Sequence, residues 1–325
     1  MTESQSWLPL QFEPGLVSVI IPAFNRAEML RETLESVFRQ EYRPIEIIVA
    51  NDGSTDGTLA MLETLKPPEG ITLEISKGKH AGAAAARNRG ARLSHGEFIL
   101  FLDSDDVLHE GALGGLVAGL GKADLVYGWW RDWYSRETPP RFGRTYRREP
   151  GGDLLVSLLR NDWLLPSATL HRRASLRRVQ GWDESFSVQD DHEFMCRVAL
   201  GGATAAVVKR LVTDYRKHGE NQLSLTSAMD TSMANEIVLR RVESALDEQG
   251  WTHERRLALA WRWFREARKA WHNDIGRARF DQLIGEVKRV APGFRAPKLW
   301  YRILAAVVGY RNTERLAGVA RKLVR

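Results

Sequence analysis

The chain has 325 residues and a formal net charge of +6, with 43% hydrophobic and 27% charged residues. This composition excludes a disordered or collagen-like chain and provides enough apolar material for one large domain or two ordinary ones. The charge is unevenly distributed, because residues 251–325 contain 18 Lys and Arg against 6 Asp and Glu, whereas residues 1–250 contain 29 against 35. A basic segment of this kind is typical of a solvated helix surface, or of a surface that meets a polyanion or an anionic membrane.

The sequence carries no targeting signal that we recognise. Cys196 is the single cysteine, so the chain forms no internal disulfide. The first ten residues include Glu3 and lack the apolar core of a signal peptide, and no later stretch contains the roughly 18 apolar residues of a spanning helix. We therefore predict a cytoplasmic protein, soluble or peripheral to the membrane.

Short β-branched runs alternate with amphipathic helical patterns in the first hundred residues. Strands are predicted at 17–21, 45–50, 71–75 and 97–102, and helices at 27–39, 56–65 and 81–93. Apolar strands separated by amphipathic helices predict an α/β fold with a mostly parallel sheet covered on both faces. Ligands of such sheets bind beyond the carboxyl ends of the strands, which directs attention to the loops after Ile21, Ala50 and Leu102.

The pattern is less regular after residue 120. A strand is predicted at 124–130, a turn region at 181–186, a helix at 190–200 and an extended segment at 207–215. Residues 131–152 are rich in arginine and aromatic residues and give no clear periodicity. From about Met229 the pattern is helical, interrupted at Gly250, Gly276, Pro292 and Pro297, which predicts a helical extension.

The loop after the second strand, residues 51–57, is acidic and rich in turn-forming residues. Asp52 follows the strand directly, so it is placed to accept hydrogen bonds from a nucleotide base or ribose. Alternatively, Thr55 or Asp56 caps the next helix and the glycines only make the turn.

Three carboxylates, Asp103, Asp105 and Asp106, follow the fourth strand within four positions. Clustered like charges at the end of a buried strand are unfavourable unless a cation or hydrogen bonds compensate them. Carboxylate oxygens suit Mg²⁺ or Mn²⁺, which one or two carboxylates and substrate phosphates commonly hold. In the alternative, Asp106 caps a helix near His109; we favour the metal, since a cap accounts for one carboxylate and not for three.

Three further positions are candidates for chemistry. Arg87 lies in a helix that starts with small residues, which is typical of phosphate binding or of a packing helix with solvated arginines. Asp190 and Asp191 stand at a helix start, where carboxylates are favoured by the helix dipole, or where one of them is a general base. His218 is a surface histidine or a metal ligand.

These segments, taken together and in order, resemble glycosyltransferase family 2, which has the GT-A fold. The matching segments are residues 17–26, 46–49, 51–58, 86–90, the DxD motif at 103–106, 181–184, 190–191 and 215–218. Each is a weak signal alone, but the ordered set covers about residues 16–225. The last hundred residues lie outside the resemblance.

The resemblance implies metal-assisted, inverting transfer of a sugar, of hexosyltransferase type, in polysaccharide biosynthesis. The donor would be a nucleotide sugar, with UDP as the nucleotide, and the acceptor a glycan or lipid-linked saccharide. By position, Pro22, Ala23, Phe24 and Asn25 would line the nucleotide pocket, Asp52 would hold the base, and Arg87 would lie near the donor phosphates or sugar. Asp103 and Ser104 would contact the ribose or sugar, and Asp103, Asp105 and His218 would form the metal site for Mn²⁺ or Mg²⁺.

The resemblance also implies a general base at the helix start. The family often has Glu-Asp where this chain has Asp190-Asp191, and Glu193, Phe194 and Arg197 set the register. We therefore assign the base to Asp191, with Asp190 as the alternative.

The predicted organisation is a catalytic domain over residues 1–225 and a basic, Trp- and Arg-rich helical extension over 226–325. Tryptophans at helical spacing are typical of core packing, but interleaved Trp and Arg also suit an anionic membrane surface, which we consider for residues 297–325. No nucleic-acid partner is predicted. The alternative functions are a metal-dependent nucleotidyltransferase and a non-catalytic protein that binds sugar nucleotides or glycans.

Overall fold

The structure is a computed structural model that describes residues 7–149, 151–160, 163–218, 227–273, 275–296 and 298–323. The chain forms two compact units. The first comprises Met1–Leu154 and Trp163–Leu223, and the second Leu155–Asp162 and Ser224–Arg325. We describe each unit by itself.

The first unit contains a sheet of nine strands. The strands are β1 (Glu13–Ala23), β2 (Ile45–Asn51), β3 (Ile71–Lys77), β4 (Gly96–Phe101), β5 (Val107–Leu108), β6 (Leu125–Tyr134), β7 (Arg141–Tyr146), β8 (Thr169–Arg172) and β9 (Ala205–Arg216). Their order is β3-β2-β1-β4-β8-β6-β9-β5, with β7 paired to β6.

Helices connect the strands and form the second unit. They are α1 (Ala27–Phe38), α2 (Thr58–Glu63), α3 (Ala83–Leu93), α4 (Ala112–Leu120), α5 (Leu154–Arg160), α6 (Arg173–Leu176), α7 (Asp190–Leu200), α8 (Ala228–Gln249), α9 (His253–His272), α10 (Arg277–Val290) and α11 (Leu299–Leu323). A short 3₁₀ helix, Pro166–Ala168, precedes β8.

The first four strands of the sheet order are parallel, as their sequences predict. Val17 pairs with Ile45 and Ile45 with Ile71, and all seven residues of β2 are buried because the sheet is covered on both faces. Helix α3 packs closely on this sheet at Gly90, where a Cβ atom would come within 2.6 Å of Ile20. This close approach places Arg87, one turn earlier, near the carboxyl ends of the strands.

The other half of the sheet is mixed. Strand β8 is antiparallel to both β4 and β6, whereas β6 and β9 are parallel. Strand β6 continues beyond the predicted 124–130 and forms a hairpin with β7. Sequence periodicity missed β7 because its residues are mostly exposed and its pairing depends on β6. The predicted α/β class with a helical extension is confirmed.

The second unit is helical and has its own core. Trp263 and Phe264 of α9 are buried, as are Leu239 of α8 and Phe280 of α10. The buried Glu266 binds Arg262 and Lys269, so part of the positive charge of this basic segment is neutralised within the unit. Helix α11 is interrupted at Gly309, which has φ 78°. In the described part of the chain, no helix combines the length and the apolar character that a membrane crossing requires.

Candidate active site

The carboxyl ends of the parallel strands bring the predicted loops to one edge of the sheet. Ala23 pairs with Asn51 and Asn51 with Lys77, while Ile20 of β1 pairs with Phe101 of β4. Pro22 and Ala23 therefore end β1 beside the loop that holds Asp52, and the backbone N–H of Asp52 donates to the carbonyl of Ala23 at 2.8 Å.

The first part of the site consists of Phe24, His80 and Asp52. The ring of Phe24 stacks on the imidazole of His80, with centroids 4.0 Å apart and an angle of 22°. Nδ1 of His80 lies 2.9 Å from Oδ2 of Asp52. The buried Asp52 also accepts hydrogen bonds from the backbone N–H groups of Ala81 and Gly82 at 2.8–3.2 Å. The anion at the start of α3 is thus the Asp52 carboxylate.

Asn25 ties the loops after β1 and β2 together. Its side-chain oxygen accepts hydrogen bonds from the backbone N–H groups of Thr55 at 2.8 Å and Asp56 at 3.3 Å, and its own N–H donates to Ser54. Asn25 has φ 51°, a left-handed conformation that asparagine tolerates. The side chain of Asp56 accepts a hydrogen bond from the Thr58 N–H at 2.9 Å, but the N-cap residue of α2 is Gly57, so neither Thr55 nor Asp56 caps this helix as the alternative predicted.

Arg87 is buried and bridges two carboxylates. Its Nη2 lies 2.7 Å from Asp103, its Nη1 lies 2.7 Å from Asp190, and its guanidinium lies over the ring of Trp182. Burial opposes the charge of Arg87, but the two carboxylates outweigh it and raise the pKa of the guanidinium. The alternative of a solvated arginine on a packing helix is therefore wrong for Arg87.

The three carboxylates after β4 have different surroundings. Asp103 binds Arg87, although burial still raises the pKa of its carboxyl group. Asp106 is fully buried and accepts hydrogen bonds from the Ser167 hydroxyl at 2.6 Å and from the Arg216 N–H at 3.1 Å. Burial and the nearby Asp105 charge raise the pKa of Asp106 well above its usual range. Because α4 begins at Ala112, the alternative in which Asp106 caps a helix near His109 is wrong.

Asp105 faces His218, which comes from the segment after β9. Oδ2 of Asp105 lies 2.9 Å from Nε2 of the buried His218, and Nη1 of Arg26 lies 3.0 Å from the same nitrogen. Burial would raise the pKa of Asp105, but the hydrogen bond with His218 and the charge of Arg26 outweigh it and lower that pKa. Ser104, which lies between Asp103 and Asp105, is buried.

Asp105 and His218 fit a divalent cation with two protein ligands. Mn²⁺ and Mg²⁺ accept carboxylate oxygens, Mn²⁺ also accepts imidazole nitrogen, and phosphate oxygens complete such sites. Asp103 points to Arg87 and not to this pair, and within the described residues no three His, Cys, Asp or Glu side chains converge. Asp105 and His218, two of the three predicted ligands, are the residues that would hold such a cation.

Asp191 lies at the start of α7, next to Asp190. One carboxylate oxygen accepts a hydrogen bond from the indole N–H of Trp163, and the other accepts the His192 N–H at 2.7 Å. Burial and the adjacent Asp190 charge raise the pKa of Asp191 to about 6, while these two hydrogen bonds act in the opposite direction. A carboxylate of this pKa is suited to accept a proton near neutral pH.

Several residues that complete the site were not selected from the sequence. His80, Trp163 and Ser167 each contact a selected carboxylate, and Ser167 also accepts the Asp103 N–H at 3.1 Å. His80 precedes the small-residue helix start, which is a weak local signal. Trp163 and Ser167 come 57 and 61 residues after Asp106, and no local pattern indicates their partners.

The fold and the site together define an α/β protein in which carboxylates and a buried arginine meet at the carboxyl edge of a parallel sheet. The profile of the family described as "Glycosyl transferase family 2" matches residues 18–197, more than half of the chain. The chain belongs to glycosyltransferase family 2, as its motifs predict. This membership favours glycosyl transfer over the nucleotidyltransferase alternative.

Two curated relatives illustrate the similarity. A PGL/p-HBAD biosynthesis glycosyltransferase of Mycobacterium bovis is 32% identical over 186 residues, which is 56% of this chain and 69% of the relative. The glycosyltransferase GlyG of Streptococcus pneumoniae is 33% identical over 115 residues, 35% of this chain and 38% of GlyG. The chain therefore spans well under half the length of GlyG.

A solved structure resembles nearly the whole chain. Residues 1–349 of Staphylococcus aureus TarS, in complex with UDP-GlcNAc, superpose with a TM-score of 0.69 at 20% identity. The match covers 94% of this chain and 92% of the TarS chain. At this identity the similarity concerns the fold, and it confirms the predicted GT-A fold with carboxyl-terminal helices.

Proposed function

We propose that the chain transfers a sugar from a UDP-sugar to a hydroxyl group of a glycan or lipid-linked saccharide, with inversion at the anomeric carbon. The observation that carries this proposal is the position of Arg87, whose guanidinium lies 2.7 Å from both Asp103 and Asp190. Arg87 thereby joins the acidic loop after β4 to the helix start that carries Asp191. A donor at the loop and an acceptor at the helix start would meet beside one buried cation.

The donor would bind over the carboxyl ends of β1, β2 and β4. The proposed nucleotide-binding residues are Pro22, Ala23, Phe24, Asn25 and Asp52, and the proposed contacts to ribose or sugar are Asp103 and Ser104. The exposed ring of Phe24 offers a face for a base, and Asp52, fixed by backbone N–H groups, offers acceptor oxygens beside it. UDP is the first nucleotide to test, since TarS, which shares the fold, binds UDP-GlcNAc.

Asp105 and His218 would hold the Mn²⁺ or Mg²⁺ ion together with the donor diphosphate. When bound, the cation would neutralise negative charge on the leaving diphosphate. Arg87 is fixed before the reaction by its two carboxylates, so its positive charge is available to the same leaving group without reorganisation.

Asp191 would act as the general base. It takes the proton of the acceptor hydroxyl while that oxygen forms a bond to the anomeric carbon. The bond from the anomeric carbon to the diphosphate breaks, its electron pair leaves with the diphosphate, and the nucleoside diphosphate is released. Attack from the face opposite the leaving group gives inversion in a single displacement.

The contacts of the two carboxylates favour Asp191 over Asp190 as the base. Asp190 is held in an ion pair with Arg87, so one of its carboxylate oxygens is already engaged by a cation. The partners of Asp191 are the neutral N–H groups of Trp163 and His192, and burial raises the pKa of Asp191 to about 6. We therefore propose that Asp190 positions Arg87 and that Asp191 accepts the proton.

A panel of nucleotide sugars tests the proposed reaction. The full chain is incubated with UDP-, GDP- and dTDP-sugars in the presence of Mn²⁺ or Mg²⁺, and the released nucleoside diphosphate is measured. We expect UDP release that depends on the metal. In a parallel incubation with nucleoside triphosphates, release of pyrophosphate would instead support the nucleotidyltransferase. A folded protein that is inactive with every nucleotide sugar would contradict the proposal.

We propose that residues 1–225 are the catalytic domain and that residues 226–325 are a helical extension, of which residues 297–325 dock on an anionic membrane. Helix α11 exposes Leu299, Ile303 and Val307 to 63%, 59% and 78%, and Trp300 beside them to 50%. These positions share one helical face, and the exposed Arg295 and Lys298 precede it. The proposed location is cytoplasmic, peripheral at the inner face of the membrane.

Vesicle sedimentation tests this docking. We expect the full chain to sediment with vesicles that contain an anionic phospholipid and to remain in solution with neutral vesicles. The double variant Ile303→Glu/Val307→Glu should lose this binding and retain UDP release. Equal behaviour of the variant and the unmodified chain would remove the membrane from the proposal and leave the transfer reaction untouched.

A further inference from the structure

One face of the paired strands β6 and β9 carries polar and aromatic side chains. Asp132 pairs with Tyr215, and Trp130 stands two positions before Asp132. Lys217 stands two positions after Tyr215, and its backbone N–H donates to the Trp133 carbonyl of β6 at 2.7 Å, so the pairing continues to this residue. Paired residues, and residues two apart on one strand, point to the same face of a sheet. Trp130, Asp132, Tyr215 and Lys217 therefore share one face.

This face leads to the proposed general base. The ring of Trp163 contacts Trp130 at 5.6 Å and Tyr215 at 5.8 Å, both edge to face, and its indole N–H donates to Asp191. Burial and the charge of Asp106, and to a smaller extent that of Asp191, raise the pKa of Tyr215. The half-buried rings of Trp163 and Tyr215 thus lie between the acidic site and the outer part of this face.

Asp132 is buried and has one carboxylate oxygen that lacks a hydrogen bond. Its Oδ2 accepts the Tyr146 hydroxyl at 3.2 Å. Its Oδ1 is buried as well and has no hydrogen-bond partner among the residues that the structure describes. A buried carboxylate oxygen without a hydrogen bond is unfavourable, so it indicates a partner that comes from outside the chain.

The side chain of Lys217 stands beside this oxygen. Nζ of Lys217 lies 3.8 Å from Oδ1 of Asp132 and 3.9 Å from the centroid of the Tyr215 ring. A separation of 3.8 Å is longer than a hydrogen bond, so the two charges attract each other while the ammonium N–H groups stay available. The side chain of Lys217 is 27% exposed, so a ligand from solution reaches it. We refer to these two residues as the Asp132–Lys217 pair.

A sugar with two hydroxyl groups on adjacent carbons matches the Asp132–Lys217 pair. A hydroxyl both donates and accepts, so one hydroxyl donates to Oδ1 of Asp132 and its neighbour accepts from Nζ of Lys217. Hydrogen bonds to charged groups are stronger than those between neutral groups. An anionic ligand would face the carboxylate and a cationic ligand would face the ammonium, so the pair favours a neutral saccharide.

We propose that the Asp132–Lys217 pair binds two adjacent hydroxyl groups of the acceptor saccharide and thereby selects which further hydroxyl of that acceptor reaches Asp191. The saccharide lies along the rings of Trp163 and Tyr215, with its reacting hydroxyl at the base and the bound hydroxyls at the pair. This inference rests on the proposed function, since it assigns acceptor contacts in that reaction. The pair binds and orients the acceptor, and the proton transfer stays with Asp191.

Saccharide binding without turnover tests the inference. The methyl glycosides of glucose, galactose, mannose and N-acetylglucosamine are added to the full chain with UDP and Mn²⁺, and binding is measured by saturation-transfer NMR. We expect at least one glycoside to bind. Its deoxy analogues at two adjacent carbons should each bind at least about tenfold more weakly, since a hydrogen bond to a charged group accounts for such a difference.

Variants of the pair assign each of the two hydroxyls to its partner. Lys217→Met should weaken binding of the glycoside at least about tenfold, and one of the two deoxy analogues should then bind as well as the parent glycoside. Asp132→Asn should reduce the loss at the other carbon, because the amide oxygen carries no charge. Lys217→Arg keeps a charged donor and should bind the glycoside more tightly than Lys217→Met.

Lys209→Met is the matched control for Lys217→Met. Lys209 lies on the same strand β9 and also pairs with a carboxylate, Glu149, at 2.9 Å, but its side chain is 61% exposed. Its replacement removes the same charge from the same strand. Glycoside binding and the pattern of the deoxy analogues should stay as in the unmodified chain.

Transfer assays separate this inference from the proposed reaction. With a UDP-sugar that the unmodified chain uses, Lys217→Met should raise the acceptor KM at least about tenfold without raising the donor KM. If no donor is turned over, the proposed reaction fails while glycoside binding still decides the inference. No binding of any glycoside to the unmodified chain, the same deoxy pattern in Lys217→Met, or an equal loss in Lys209→Met would each overturn it.

Discussion

The indole N–H of Trp163 donates a hydrogen bond to Oδ2 of Asp191. Trp163 is fixed in turn by edge-to-face contacts with Trp130 at 5.6 Å and Tyr215 at 5.8 Å. Trp163, which is fixed by Trp130 and Tyr215, therefore holds the Asp191 carboxylate in one orientation. Burial and the Asp190 charge raise the pKa of Asp191, while its two hydrogen bonds and the nearby Arg87 charge act in the opposite direction.

Replacing Asp191 by Asn should abolish transfer and preserve donor binding. The amide keeps the size of the side chain but cannot take the proton, and general bases contribute about a hundredfold to ten-thousandfold in rate. Steady-state UDP release gives kcat, and calorimetry with the donor gives Kd. Full activity of Asp191→Asn together with an inactive Asp190→Asn would move the base to Asp190.

The pH dependence of kcat should have an acidic limb near the Asp191 pKa of about 6. The base acts in its deprotonated form, so the rate is full above this pH and falls as the pH drops through it. Trp163→Phe removes a hydrogen bond that lowers this pKa and should move the limb upward by about one pH unit.

Trp251→Phe is the matched control for Trp163→Phe. Trp251 donates its indole N–H to a carboxylate of the helical unit, Asp247, at 2.7 Å. Its replacement removes the same kind of hydrogen bond and should leave the pH profile unchanged. A profile of Trp163→Phe that coincides with that of the unmodified chain would show that Trp163 has only a packing role.

The carboxylates after β4 should respond differently to neutralisation. Asp105→Asn removes the charge of the proposed metal ligand and should weaken metal-dependent donor binding by at least about tenfold. Asp106→Asn replaces a buried group whose pKa is already raised well above its usual range, and should weaken that binding far less. Donor titrations with and without Mn²⁺ measure both effects. Equal losses of metal-dependent donor binding in Asp105→Asn and Asp106→Asn would argue against Asp105 as the metal ligand.

Removing the Arg87 guanidinium should destabilise the protein as well as inactivate it. Arg87→Ala leaves Asp103 and Asp190 without their cation, and breaking a buried ion pair costs about 3–5 kcal/mol. The loss should shrink as the pH falls, because Asp103, whose pKa is raised by burial, becomes protonated and no longer requires the cation. Urea unfolding at several pH values measures it.

Arg87→Lys is the matched variant for this prediction. Lysine restores the positive charge but has a single ammonium nitrogen. The guanidinium of Arg87 instead uses two nitrogens, one 2.7 Å from Asp103 and the other 2.7 Å from Asp190. We expect stability between those of Arg87→Ala and the unmodified chain, with kcat still strongly reduced. A fully active Arg87→Lys would show that charge alone is sufficient at this position.

Periodicity predicted the first half of the sheet well and the second half poorly. Strands β1 to β4 are apolar runs separated by helices, so their type and order follow from local sequence. The exposed strand β7 and the four-residue β8 have weak patterns of their own. Strand β7 pairs with β6, and β8 lies between β4 and β6, so both depend on backbone groups of distant strands. The hydrophobic period of a segment does not show which distant segment it pairs with.

The sequence by itself determined which loops carry the acidic residues, because strand ends and turn residues are local features. Only the tertiary structure decided how these residues are used. It separated Asp103, bound to Arg87, from Asp105, which meets His218 across 113 positions of sequence. It also brought the indole N–H of Trp163 to the carboxylate of Asp191. These contacts depend on how the sheet brings distant segments together, and burial and neighbouring charge then set the pKa of each carboxylate.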